Sequence, residues 1–303
     1  MNLNRRTLFK LAAAAGTAGV AGAAATSRAS VVPAAPNARG VLVDTTRCVG
    51  CRACEAACAE ANALAGLEKP GDDTVFASKR ATSPTAYTVV QKGSTKSPAG
   101  EDRFAKTQCM HCVEPACASG CVVKALEKTA SGPVVYHKDR CLGCRYCMIA
   151  CPFGVPKYEF SSTTPLVKKC TFCAERQAKG LVPACTEVCP SGALQFGTRA
   201  DLLEEAKARI YTNPEKYVHK VYGEDEAGGT SWLYISDVPF ESLKLPAGIE
   251  KKSYPELADG ALSAVPFVIT LWPPLLMGMY TFSKRRDEVA AKEGDGRQEG
   301  RHV

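Results

Sequence analysis

Sixteen cysteines are the outstanding chemical feature of this 303-residue chain. They fall into four runs with none left over: Cys48, Cys51, Cys54, Cys58; then Cys109, Cys112, Cys117, Cys121; then Cys141, Cys144, Cys147, Cys151; then Cys170, Cys173, Cys185, Cys189. Three uses of such thiols compete. Disulfide scaffolds of this density are usually short chains, and two cysteines separated by two residues rarely bond each other. Structural zinc favours paired C-x2-C knuckles that close one tetrahedron, and Cys170-x2-Cys173-x11-Cys185-x3-Cys189, taken alone, fits that description. The first and third runs do not fit it. Both read C-x2-C-x2-C-x3-C, and Pro152 follows the third. That spacing wraps three thiolates around one iron–sulfur cube and sends the fourth to a different cube. Four runs therefore predict four [4Fe–4S] clusters.

The fourth-cysteine rule requires the runs to pair. The second and third are near neighbours, joined by "VKALEKTASGPVVYHKDR", two short strand-like stretches around a Ser131-Gly132-Pro133 turn. That is the hairpin expected between the halves of a two-cluster ferredoxin. The first run must then pair with the fourth, whose Cys189-Pro190-Ser191-Gly192-Ala193-Leu194 ends like a ferredoxin half. The expected fold class is α+β, with two nested two-[4Fe–4S] modules in a core over 41–197 and the inner module, about 105–160, inserted in the outer. Crossed ligation gives four sets. The first is Cys48, Cys51, Cys54 and Cys189; the second is Cys58, Cys170, Cys173 and Cys185. The third is Cys109, Cys112, Cys117 and Cys151; the fourth is Cys121, Cys141, Cys144 and Cys147.

Both ends of the chain bear on location. Residues 1–29 read as a twin-arginine signal peptide: Arg5-Arg6 precedes Leu8, Phe9 and Lys10, and a weakly apolar run, Leu11 to Ala25, follows. Such a signal exports a folded protein, which suits clusters built in a reducing cytoplasm. Gly260 to Phe282 carries no charge over 23 residues, about 34 Å as a helix and enough to span a bilayer. Pro266, Pro273 and Pro274 count against it, because proline removes amide donors and kinks helices, although partner helices tolerate that. Lys284, Arg285 and Arg286 follow, so the tail 283–303 is expected in the cytoplasm and the cluster core on the opposite, periplasmic side.

The formal net charge of +7 includes Arg5, Arg6, Lys10 and Arg28 of the signal, and it counts cysteine as neutral. Thiolates around a cluster leave each site negative. Arg52, Lys124, Arg145, Lys157 and Lys169 are candidates for local compensation. His111 would either donate to cluster sulfur or serve as packing, and Tyr146 and Phe153 would either shield cubes or fill the core. Between core and membrane segment, 198–259 reads as a helix ("TRADLLEEAKARI", with Thr198 as N-cap), a strand ("SWLYIS") and an extended linker. There is no phosphate-binding loop, dinucleotide fingerprint, nucleophile triad or nucleic-acid footprint, so the chain is expected to transfer electrons without a catalytic centre of its own.

The stretches "QCMHCVEPACASGCVVKAL", "CLGCRYCMIACPFGVPKYEF", "GTRADLLEEAKARI" and "VYGEDEAGGTSWLYISDVPFESLKLP" resemble the HybA type of four-cluster ferredoxin subunit. The last contains no cysteine and so discriminates within the wider superfamily, which also serves molybdopterin oxidoreductases. The resemblance implies a periplasmic subunit of a membrane-bound nickel–iron hydrogenase. Its partners would be the hydrogenase small and large subunits and a multi-helix, quinone-reactive membrane subunit. It also implies that the outer module faces the catalytic subunit and the inner one the membrane. Cys121-Val122 departs from the usual Cys-Pro, which shapes the turn but leaves Cys121 a ligand. A molybdopterin partner such as formate dehydrogenase is the alternative. A structural zinc or disulfide protein is the alternative from another class.

Overall fold

The computed structural model describes residues 37–64 and 72–299; the expected signal peptide lies outside them. The order of elements follows the cysteine runs, because each run is a loop that enters a short helix. These helices are α1 (Ala53–Ala61), α2 (Ala116–Ser119), α3 (Tyr146–Ala150) and, in the fourth run, α4 (Ala174–Ala178) and α5 (Ala184–Glu187). A spacing of four residues is one helical turn. Cys54 to Cys58, Cys117 to Cys121, Cys147 to Cys151 and Cys185 to Cys189 are therefore each separated along a helix or its C-terminal exit.

A three-stranded sheet joins the ends of the cysteine-rich region. Its central strand is β1 (Arg39–Asp44), flanked by β8 (Leu194–Thr198) antiparallel and β9 (Trp232–Ile235) parallel. Both faces of β1 are covered, which is why Val41-Leu42-Val43 is continuously apolar rather than alternating. The period of two still sorts the side chains. Val41, Val43, Trp232 and Tyr234 face the cysteine side with Met110, Phe172 and Cys185. Leu42, Leu233 and Ile235 face α6 (Arg199–Thr212), packing on Leu202 and Ala206. As the sequence implied, Thr198 caps α6: its Oγ1 accepts from the Asp201 amide at 3.3 Å, worth about 1 kcal/mol.

Three antiparallel two-stranded ladders complete the unit: β2 (Val89–Lys92) with β3 (Phe104–Thr107), β4 (Leu126–Lys128) with β5 (Val134–Tyr136), and β6 (Lys157–Tyr158) with β7 (Val167–Lys168). β4 and β5 are the two halves of the hairpin expected around Ser131-Gly132-Pro133. The segment after α6 also enters this core, since Val238, Phe240, Leu243 and Leu245 pack into the cluster that contains Cys185. A buried ion pair, Arg103 to Asp237 at 2.8 Å, ties it to β3.

By itself, the C-terminal segment is one helix, α7 (Tyr254–Glu299). It runs unbroken through Pro266, Pro273 and Pro274, although these leave the carbonyls of Leu262, Ile269 and Thr270 without amide donors. The stretch Tyr254–Ala291 is long and apolar enough to cross a membrane, with mean hydropathy 1.6 over its most apolar 18 residues. Leu271, Trp272, Leu275, Met279 and Phe282 are exposed, as expected for a surface made for lipid or partner helices.

Candidate iron–sulfur centres

All sixteen cysteines are free thiols, which removes the disulfide reading. Their loops share a backbone device. The residue before the second cysteine of each run lies in the left-handed region: Gly50 at φ 71°, His111 at 46°, Gly143 at 70° and Phe172 at 54°. In the first and third runs the residue after that cysteine does the same, Arg52 and Arg145 both at φ 60°. A non-glycine residue there costs about 1–2 kcal/mol, a cost that functional sites sustain. The curl turns backbone amides onto sulfur. The Gly143 amide donates to Cys141 Sγ at 3.4 Å, and the Phe172 amide to Cys170 Sγ at 3.3 Å. After the second run the Ala125 amide donates to Cys121 Sγ at 3.1 Å.

Strand register brings distant runs together, by the same offset twice. In β1–β8, Val43 pairs with Leu194; Cys48 lies five residues after the one and Cys189 five residues before the other. In β4–β5, Leu126 pairs with Tyr136; Cys121 lies five residues before the one and Cys141 five residues after the other. The remaining pair of ladders repeats as well, since β3 ends at Thr107 and β7 at Lys168, each two residues before a cysteine, Cys109 and Cys170.

The thiols' electrostatic neighbours come from different runs. Burial pushes the Cys48 thiol up to about 11, against the Gly50 amide, and Cys189 and Cys51 raise it further. Burial takes Cys58 to about 12, with Cys185 and Cys173 adding to it. Cys112 is pushed well above the ordinary thiol range by burial and then by Cys109, Cys117 and Cys151. Cys147 rises to about 11 through burial, Cys121, Cys141 and Cys144. Each of these neighbourhoods joins cysteines from two runs. Further pairs run between them: Cys54 feels Cys185, Cys170 feels Cys109, and Cys117 feels Cys147. Cys51 and Cys144 are exposed, while Cys58, Cys109, Cys117, Cys147, Cys170 and Cys185 are buried.

A buried thiolate is costly in an apolar setting, and these thiols offset one another only when iron supplies positive charge between them. Among the described residues no three donors converge on the position of a single ion. Buried thiols that couple across two runs suit a polynuclear cluster better than a zinc tetrahedron.

The other sequence candidates divide. Arg52 is buried against Glu55 at 3.2 Å. Lys169 is buried and donates to the carbonyls of Val134 and Cys170 at 2.5 and 3.1 Å. Arg145 lies over the rings of Tyr158 and Phe160, 5.6 Å from each centroid. Lys157 donates to the Gly154 carbonyl at 2.8 Å, and Lys124 is exposed. His111 is buried; its Nδ1 accepts from the Val134 amide at 2.8 Å and its ring stacks on Phe172 at 4.9 Å. Burial, then the charges of Lys169 and Lys128, hold it neutral, well below the usual histidine range. Phe153 packs among Cys58, Cys109 and Cys170, and Tyr146 is exposed. Sequence reasoning missed Lys106 and Lys128, both buried beside thiols. Nothing local in the strand "FAKT" singles out Lys106.

Residues 101–199 match the family model of the 4Fe-4S dicluster domain. That stretch includes every cysteine from Cys109 to Cys189 and leaves out Cys48 to Cys58. A protein of Nitratidesulfovibrio vulgaris Hildenborough is 46% identical over 298 residues, 96% of this chain and 80% of its own length. The hydrogenase-2 operon protein HybA of Escherichia coli O157:H7 is 39% identical over 246 residues, 71% of this chain and 74% of its own. The chain belongs to the HybA-type family of iron–sulfur proteins. The nitrate-inducible formate dehydrogenase iron–sulfur subunit of Escherichia coli K12 is also related, 33% identical over 240 residues, 76% of this chain and 80% of that subunit. Membership in the HybA-type family agrees with the sixteen free thiols and the amides pointed at sulfur.

Proposed function

We propose that this chain is the electron-transfer subunit between a periplasmic nickel–iron hydrogenase and a quinone-reactive membrane subunit, and that it holds four [4Fe–4S] clusters in two nested modules. The first set would be Cys48, Cys51, Cys54 and Cys189; the second Cys58, Cys170, Cys173 and Cys185; the third Cys109, Cys112, Cys117 and Cys151; the fourth Cys121, Cys141, Cys144 and Cys147. Each cluster supplies a one-electron site when bound.

The observation that carries this reading is the linear order of the thiols. Electrostatic coupling runs from the first set to the second through Cys54 and Cys185, to the third through Cys170 and Cys109, and to the fourth through Cys117 and Cys147. The exposed members, Cys51 and Cys144, belong to the two end sets. The residues between them exclude water: Phe172, Trp232 and Met110 on one side, and Val155, Val167 and Leu126 on the other. A chain of buried one-electron sites with an accessible site at each end is a conductor. Exposed apolar residues at the fourth set, Val122, Leu142 and Ile149, supply a face for a membrane partner. Helix α7 supplies an anchor, with Lys284, Arg285 and Arg286 marking its cytoplasmic end and the N-terminal signal directing the core to the periplasm.

Cys144→Ala in the assembled complex tests this. Hydrogen oxidation by an artificial dye should survive, because the catalytic subunit keeps its own cofactors, while electron flow from hydrogen to quinone should fall below a tenth. Normal quinone-linked activity in a complex that assembles, verified by immunoblot, would refute it. The kinship with formate dehydrogenase subunits supports a second reading, a molybdopterin partner. Formate in place of hydrogen as the donor in the same assay distinguishes the two.

A further inference from the structure

Lys106 is 2% exposed, and among the described residues no carboxylate lies within ion-pair distance of it. Its Nζ donates to Gln108 Oε1 at 2.9 Å and sits 4.3 Å from the centroid of the Trp232 ring. Gln108 Nε2 in turn donates to Tyr234 Oη at 2.8 Å, and that hydroxyl donates to the Lys106 carbonyl at 2.8 Å. The loop is closed on itself, so the ammonium has one position. Trp232 and Tyr234, fully buried, pack with Cys185 and against Cys54 and Cys189. A buried, unpaired ammonium is as costly as a buried thiolate. Neutral partners such as an amide oxygen and an indole ring recover only part of that cost.

The missing countercharge is the thiolates. Burial lowers the lysine's proton affinity, yet the charges of Cys185, Cys54, Cys170 and Cys58 outweigh burial and hold it above the ordinary lysine range. These four cysteines belong to the first and second sets. Arg103 offers a contrast, because it is also buried but meets Asp237 and Glu101.

We propose that Lys106 is a fixed positive charge shared by the clusters of the first and second sets, and that it holds their reduction potentials up. The proposal rests on the four-cluster reading. Reduction adds one electron to a thiolate-bound cluster and makes it one unit more negative, with no bond made or broken. A nearby ammonium stabilises that reduced form more than the oxidised form. Trp232 and Tyr234 pack with Cys185 of the second set and with Cys54 and Cys189 of the first, so both clusters should respond.

The experiment is a redox titration followed by electron paramagnetic resonance on the full chain, purified anaerobically with its iron. Wild type with close to sixteen iron per chain and four reducible signals establishes the four-cluster reading; fewer iron or signals defeats that reading independently of Lys106. In Lys106→Met two signals should shift to lower potential. The larger shift should be at least tenfold in the reduction equilibrium, about 59 mV for one electron, and the other two signals should move by less than half as much. Lys106→Arg keeps the charge and should leave all four near wild type. Four unmoved signals in Lys106→Met, four equal shifts, or an equal shift in Lys106→Arg would overturn the proposal. If neither variant loads its iron, Gln108→Glu decides. A carboxylate there pairs with Lys106 and cancels its charge, so the same two signals should fall, and unmoved signals refute the assignment.

Discussion

Gly50→Ala and Gly143→Ala form a matched pair. Each glycine precedes the second cysteine of a C-x2-C-x2-C-x3-C run, at φ 71° and 70°, so each alanine bears the same left-handed cost of about 1–2 kcal/mol. What differs is the space around them. A Cβ on Gly50 would come 2.8 Å from the Phe104 ring, which is braced by Phe76 with centroids 5.1 Å apart. Forcing a packed ring aside adds about 1–3 kcal/mol. A Cβ on Gly143 would also come 2.8 Å from its neighbour, but that atom is the Tyr158 hydroxyl, a single atom at the tip of the side chain rather than a ring face. The expected costs are about 2–5 kcal/mol for Gly50→Ala and about 1–2 kcal/mol for Gly143→Ala. At about 2–4 °C per kcal/mol for a unit of this size, Gly50→Ala should lower the thermal midpoint by at least about 4 °C and Gly143→Ala by less. Anaerobic thermal denaturation with iron counted before and after heating measures both. Gly50→Ala should also lose iron first from the set containing Cys48, Cys51 and Cys54. An equal or larger loss in Gly143→Ala would refute the reasoning, because the backbone term is common to both.

Cys189→Ser should remove the cluster held with Cys48, Cys51 and Cys54 and spare the one held with Cys170, Cys173 and Cys185; spectra that lose the latter instead would mean local rather than crossed ligation. Cluster loading should tighten as pH rises. Burial raises Cys48 and Cys147 to about 11 and Cys58 to about 12, from an ordinary 9.0, and a ligand must first give up its proton. Anaerobic reconstitution in weak buffer should therefore release protons, and iron affinity that is flat from pH 7 to about 9 would contradict this. For the cluster-free fold the sign is opposite. It holds these thiols protonated, so their contribution to stability is complete below about pH 9 and is lost as pH rises toward about 12.

The chemistry was legible in the sequence because it is local. Four cysteines in eleven residues fit one turn of loop and one turn of helix, and that geometry needs no distant partner. The Ser131-Gly132-Pro133 turn, the Thr198 cap, the strand in "SWLYIS" and the long C-terminal apolar segment were legible for the same reason, since turn chemistry, capping and periodicity act over a few residues. Nothing local says that β9 lies parallel to β1, or that β9 delivers Trp232 and Tyr234 to the side of the sheet that carries Cys185. Those are long-range pairings chosen by total burial. Lys106 shows the limit most clearly. Beside Ala105 in a four-residue strand it reads as a solvated charge on an alternating edge. Only the folded arrangement, with Trp232 over its ammonium and cysteines of two separate runs around it, removes the water and leaves thiolate charge as its counterpart. Spacing nominates ligands, but the field around them is summed over neighbours that meet only when the chain is folded.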